Sequence, residues 1–171
     1  MRWIVGLLVF AVVVGCGGNS NNKSTELAKQ ALLRLIADGR QQCGVPTLQR
    51  LTALDDIAQE WANYYKTNQT PAVQTYDTPP SDLLSQWGVT SLKEKVDQVL
   101  AVTTQAAEGK AVINDNNSAS DAYQMFGGGA QSSWLMQSQW ECVGVGYTSY
   151  EVSNPNQMQC FCWVVILVDK N

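Results

Sequence analysis

Apolar positions recur at helical spacing in the first half of the chain and alternate as in strands towards its end. Leu27, Ala31, Leu35 and Asp38 fall on one line, with Ala28, Leu32 and Ile36 beside it. This predicts a first helix from a Ser24 or Thr25 cap to about Asp38. Gly44 can take the left-handed conformation that ends a helix, and Pro46 blocks its continuation. Leu54, Ile57, Ala58, Trp61 and Tyr65 then share one face of a second helix over about 53–66. Thr52 and Asp55 form its expected capping box. Residues 67–81 are polar, contain Pro71, Pro79 and Pro80, and read as loop; Trp87, beside Gly88, also falls in a loop-like stretch. A third helix is expected over 91–107, with Leu92, Val96, Val99, Leu100 and Thr103 on one face and Gly109 ending it. Ser120 can cap a short helix through Phe126 that Gly127, Gly128 and Gly129 break. Cys142 to Tyr150 alternates and Phe161 to Val168 is almost unbroken apolar sequence. With Asn154-Pro155-Asn156 between them, these read as a β-hairpin with a buried second strand. Trp61 is expected in the core between the second helix and this sheet, against Trp163 and Ile166.

The N-terminus has a different pattern. Arg2 precedes an apolar run from Trp3 to Val14 and then Gly15-Cys16-Gly17-Gly18, which reads as a signal for export. The run is shorter than the ~20 residues a membrane-spanning helix needs. Val13-Val14-Gly15-Cys16 resembles the lipobox of bacterial lipoproteins, which implies cleavage before Cys16 and its lipidation. The alternative is an ordinary secretory signal cut near Gly17. The expected organisation is a signal peptide over 1–15, a flexible polar tether over 16–24 and one domain over 25–171.

The chain has 171 residues, 45% of them hydrophobic, with six Trp and six Tyr, enough for one well-packed domain. A net charge of −4 argues against nucleic acid as a partner, which calls for a basic patch. There is no histidine. That removes Ser-His-Asp and Cys-His nucleophile systems and His-ligated metals, and leaves carboxylate pairs, lysine bases and cofactors.

Arg34, then Gly44-Val45-Pro46 and Leu48, then Ala58-Gln59-Glu60-Trp61-Ala62 resemble the opening of the CAP superfamily, the SCP-like extracellular proteins. Thr47 stands where the family usually has a second proline, and Arg50 near a position that is often Trp. Val143-Gly144-Val145-Gly146 resembles the family's V-G-V-G before a last hairpin. Aligned back from it, Leu135-Met136 fall on the family's L-L and Gly128-Gly129-Ala130 on its S-P-G. Gln131 then takes the place of a family histidine, and Lys93-Glu94-Lys95-Val96 is the nearest counterpart of its G-E-N-[IL], with 102–118 as an insertion. The resemblance implies an α+β fold: a three-layer α/β/α sandwich with a small antiparallel sheet flanked by helices. The family cavity gathers two His and two acidic residues and in some members binds a divalent metal. Here Gln131 and Glu94 would be a pseudo-site without metal or other cofactor.

Other candidate residues carry less chemistry. Asp56 and Glu60 lie four apart on the second helix, where a solvated face is the ordinary reading. The Gly127–Gly129 run lacks the G-K-[ST] of a phosphate loop. In an exported protein Cys43, Cys142, Cys160 and Cys162 suggest disulfides in one of three pairings. A Cys160–Cys162 bridge is disfavoured by the extended backbone, and a tight hairpin separates Cys142 from both. A thiolate metal site lacks the C-x-x-C spacing. Two functions follow. One is an exported, lipid-anchored, non-catalytic CAP-like module that binds a small hydrophobic ligand or a protein surface, with Trp87 and Trp134 as a possible ligand groove and lipidated Cys16 as its membrane contact. The other is an envelope-polymer hydrolase using Glu94 with Asp56, Glu60 or Glu108.

Overall fold

The apolar run at the end of the chain becomes the middle of the sheet. A computed structural model describes residues 20–153 and 157–170. In it, β5 (Met158–Asp169) pairs antiparallel with β4 (Cys142–Val152) on one side and β3 (Ala106–Asn114) on the other. β3 pairs antiparallel with β2 (Gln74–Tyr76), and the two-residue β1 (Gln49–Arg50) lies parallel to the start of β4. The order is β1-β4-β5-β3-β2. A strand covered on both faces needs apolar residues at successive positions. Cys162 through Val168 are all buried.

Strand alternation divides the core in two. Cys160, Cys162, Val164, Ile166 and Val168 meet α2 (Thr52–Thr67), α3 (Ser81–Trp87) and α4 (Leu92–Leu100). Trp163, Val165 and Leu167 meet α1 (Ser20–Gln42), α5 (Ala119–Met125) and a 3-10 turn at Trp134–Met136. This is the three-layer α/β/α sandwich expected from the sequence, with a mixed sheet.

Glycines set the spacing between layers. A Cβ on Gly144 would lie 2.3 Å from Leu54 backbone and side-chain atoms, and one on Gly146 2.1 Å from the Ala58 carbonyl oxygen. The V-G-V-G alternation therefore lets α2 sit directly on β4, while Val143 and Val145 fill the other face. Gly109 plays the same part under Trp61: a Cβ there would meet the indole at 2.7 Å.

Several local expectations need correction. α1 begins at Ser20, inside the stretch read as a tether, and runs to Gln42, so neither Ser24 nor Thr25 caps it. Leu51, with no side-chain cap bond, occupies the N-cap of α2, and Asp55 turns to the sheet instead of closing a box with Thr52. Ser81 and Trp87, placed in loop-like stretches, are the first and last residues of α3. α4 stops at Leu100 because Ala101 turns left-handed (φ 53°). The supposed insertion is a central strand: Gly109 and Ala111 are small because α2 and α4 press on that face, which mimicked a helix terminator in the sequence. Ser118, not Ser120, caps α5. Trp163 faces away from Trp61, as its odd register position requires, and packs 4.5 Å from Tyr147. The Asn154-Pro155-Asn156 turn and the signal segment lie outside the described residues.

Trp61 is fully buried against Gly109 and Leu92, as its helical face implies. Trp61→Ala is expected to cost about 3–5 kcal/mol through lost transfer energy and a residual cavity. Trp87→Ala, at a half-buried position, should cost much less. Urea unfolding of both variants checks this; equal losses would contradict the placement.

Candidate functional site

The close approach of α2 puts two polar side chains, one helical turn apart, on the open edge of β4. β1 pairs with this edge only at Cys142 and Val143. Beyond it, Asp55 Oδ1 accepts from the Val145 N–H at 2.7 Å. Gln59 Oε1 accepts from the Tyr147 N–H at 3.3 Å, and Gln59 Nε2 donates to the Tyr147 carbonyl at 2.9 Å. The two side chains do the work of a neighbouring strand, whose absence would otherwise leave backbone groups unpaired.

Asp55 also joins a charge network. Arg50 Nε donates to Asp55 Oδ2 at 2.7 Å, and its two terminal nitrogens donate to the Glu26 carboxylate at 2.6 and 3.0 Å. The two-pronged guanidinium contact ties α1 to the start of α2. The Arg50 hydrogen bond holds Glu26 below its usual carboxylate range, ahead of a smaller opposing effect of burial.

A polar cleft opens beside this network. Thr25, Glu26 and Lys29 of α1, Gln59 and Asn63 of α2, and Tyr147 and Thr148 of β4 line a space of about 440 Å³. It adjoins a second space of about 400 Å³ bounded by Ser24, Lys66, Asn117, Ser149 and Phe161 as well. Lys29 is 8% exposed, yet among the described residues its ammonium has no hydrogen-bond partner. Burial pushes its pKa down, and the charges of Asp55 and Glu26 pull it back up.

On the other side of the network lies an apolar groove of about 350 Å³. Its walls are Leu33, Ile36, Ala37, Leu48 and Val143, and Arg34, Arg40 and Arg50 frame it. Arg40 is fully buried and donates to the carbonyls of Pro46, Leu135, Gln137 and Trp140. It therefore holds the Gly44–Pro46 loop to the segment after the 3-10 turn. Arg34, the arginine of the family-like opening, is exposed.

Of the residues expected to form a pseudo-site, Gln131 lies in a loop and Glu94 on α4. Gln131 is exposed in the loop after the glycine run. Glu94 accepts from the N–H and hydroxyl of Thr90 at 2.7 and 3.0 Å, beside the Ser91 cap of α4. Those bonds hold its pKa down. Trp87 and Trp134 belong to opposite faces of the sheet, so they share no groove. Trp87 donates to Glu60 at 2.6 Å under the Lys95 ammonium, whereas Trp134 is buried and donates to the Phe126 carbonyl. Lys110 lies over the Trp134 ring and pairs with Asp77. Asp56 and Glu108 are exposed. Among the described residues no three His, Cys, Asp or Glu side chains group as metal ligands.

The disulfide expectation is corrected: Cys43, Cys142, Cys160 and Cys162 are free thiols. Cys43 packs on the α1 face and the other three on the α2 face. Cys142 lies opposite Val168 and Cys160 opposite Tyr150, which separates them by roughly 25–30 Å at ~3.4 Å per residue. Burial raises the Cys160 and Cys162 pKa values, so neither is an activated nucleophile. Cys16 lies outside the described residues.

Sequence reasoning missed Lys29, Asp55 and Gln59 as site-forming residues. The available signal was the spacing of Asp55 and Gln59, four apart and both next to core positions of α2, together with the glycines opposite.

Residues 33–167 match the cysteine-rich secretory protein (CAP) family, and the chain belongs to that family. Among solved structures, the chain is similar to a cysteine-rich secretory protein from Staphylococcus aureus subsp. aureus Mu50 (TM-score 0.55, 14% identity), with 86% of this chain and 40% of that one covered. It is also similar to an extracellular protein containing an SCP domain from Bacillus anthracis str. Ames (TM-score 0.51, 15% identity, 94% and 45% covered). This chain thus spans less than half the length of either protein, and at these identities the likeness concerns the fold. No curated protein matches.

The Glu26–Arg50 pair gives a pH signature. A carboxylate whose folded pKa is depressed adds stability above its unfolded pKa and loses it as pH falls through the folded value. Glu26→Gln should therefore be less stable than the unmodified chain at pH 7, and the difference should vanish as pH falls below the ordinary carboxylate value of 4.5 and through the depressed one. Thermal melts from pH 7 to pH 2 measure it; a difference independent of pH would contradict the pairing.

Proposed function

We propose that this CAP-family chain is an exported, non-catalytic binding module that holds a small hydrophobic ligand with an acidic head group in the groove between α1 and β1. The supporting observation is the groove's composition: aliphatic side chains form its walls and guanidinium groups its frame. Arg40 and Arg50 already have their partners, while Arg34 has none among the described residues. An exposed, unpaired guanidinium at the mouth of an aliphatic groove suits a carboxylate whose chain lies along Leu33, Ile36 and Leu48. A protein surface is the other occupant such a groove could take.

Export rests on the N-terminal signal pattern, and attachment to a membrane on lipidation of Cys16. The secreted or extracellular character of the similar proteins agrees with export. The hydrolase reading gains nothing from the geometry. Glu60 accepts from Trp87, and Glu94 accepts from Thr90 at the start of α4.

Calorimetric titration with dodecanoate tests the groove. Saturable binding is expected, weakened tenfold or more by Arg34→Glu, since a charge-assisted hydrogen bond contributes about 1.5–3 kcal/mol. Ala37→Trp, which fills the groove, should abolish it. Binding that ignores both substitutions would place the ligand elsewhere. In cells, Cys16→Ser should move the protein from the membrane fraction to the soluble fraction, because the lipid on Cys16 is the proposed membrane contact. Unchanged fractionation would remove the lipid anchor from the account.

A further inference from the structure

The polar cleft plays no part in that reading, and its chemistry differs from the groove's. Most of its lining groups are already engaged in ways that fix their orientation. Asn63 Oδ1 accepts from Gln59 Nε2 at 3.1 Å, which leaves the Asn63 amide N–H groups to the cleft. Asn117 Oδ1 accepts from the Tyr147 hydroxyl at 2.7 Å, which leaves the Asn117 amide N–H groups in the same way. The carboxylates of the network and the Gln59 amide are already engaged. Glu26 receives two Arg50 bonds and one from Gln30, Asp55 receives Val145 and Arg50, and Gln59 is spent on Tyr147.

The groups left over can all donate, and the hydroxyls among them can also accept. They are the ammonium groups of Lys29 and Lys66, the hydroxyls of Thr25 and Thr148, and the two amides. Lys29 and Thr148 are both more than nine-tenths buried as residues while lining the open space. The Lys29 stem is packed, while its ammonium opens onto the cleft and has no hydrogen-bond partner among the described residues. Asp55, Glu26 and Asp56 offset its charge through the field without giving it an acceptor. Tyr147, braced by Trp163, and Phe161 add aromatic surface to the walls.

We propose that this cleft is a second binding site, for a carboxylated sugar. The ligand's carboxylate meets Lys29, its hydroxyl and ring oxygens take the remaining donors, and its apolar ring faces lie against Tyr147 and Phe161. The two adjoining spaces, about 440 and 400 Å³, suit a short acidic oligosaccharide better than a single inorganic anion. The site stands apart from the hydrophobic groove, with the Glu26–Arg50–Asp55 network between them, so each can fail without the other.

The test is calorimetric titration of the protein with digalacturonate and, separately, with the uncharged digalactose. Saturable binding of digalacturonate is expected, with digalactose at least tenfold weaker. Lys29→Gln should lose at least tenfold in affinity for digalacturonate while its dodecanoate binding is unchanged. If Lys29→Gln does not fold, Thr148→Val serves as the second variant, with a loss of threefold or more. Equal binding of the two sugars, no binding of digalacturonate, or affinity unmoved by either substitution would overturn the proposal.

Discussion

The rest of this structure depends on the contact between α2 and β4. Two glycines remove the side chains that would hold the helix off the sheet, so the helix backbone at Leu54 and Ala58 lies on the strand. At that distance Asp55 and Gln59 reach the strand's open edge and satisfy the Val145 and Tyr147 N–H groups and the Tyr147 C=O. An edge strand is normally a liability because its unpaired groups invite another chain. Here a helix covers it, and the sheet needs only two residues of β1 where another fold would need a full strand.

The same contact places the two candidate sites. Because Asp55 is fixed to Val145, Arg50 is fixed to Asp55, and through Arg50 the Glu26 carboxylate of α1 is fixed as well. This chain of bonds forms the wall between the apolar groove, which Arg50 lines, and the polar cleft, which Glu26 lines. One face of the network meets aliphatic side chains and the other meets donors. A CAP-family chain without histidine thus keeps two concave surfaces of opposite character, while Glu94 is engaged by Thr90 at the start of α4.

The layers were legible because burial imposes periodicity. The α2 face from Leu54 to Tyr65 and the apolar run of β5 leave little choice of structure. The glycines of V-G-V-G were legible as a motif, though not as the reason α2 lies so close. β3 was not legible: its small residues at Gly109 and Ala111 reflect the partner that presses on them, and a single sequence does not reveal that partner. The sites were hidden for a related reason. Lys29, on a helix with mixed polarity, resembles any solvated lysine until Asp55 and Thr148, far away in the chain, are brought around it. The cysteines misled because their number suggested bridges while the strand register keeps them apart.

Native-state hydrogen exchange at the Val145 and Tyr147 amides tests the central claim most directly. Both lie on the strand's open edge, beyond the reach of β1. If Asp55 and Gln59 close that edge, both amides exchange as slowly as hydrogen-bonded amides in the middle of β5, and Gln59→Ala selectively speeds Tyr147. Exchange at both amides as fast as in exposed loops of the unmodified chain would contradict the account.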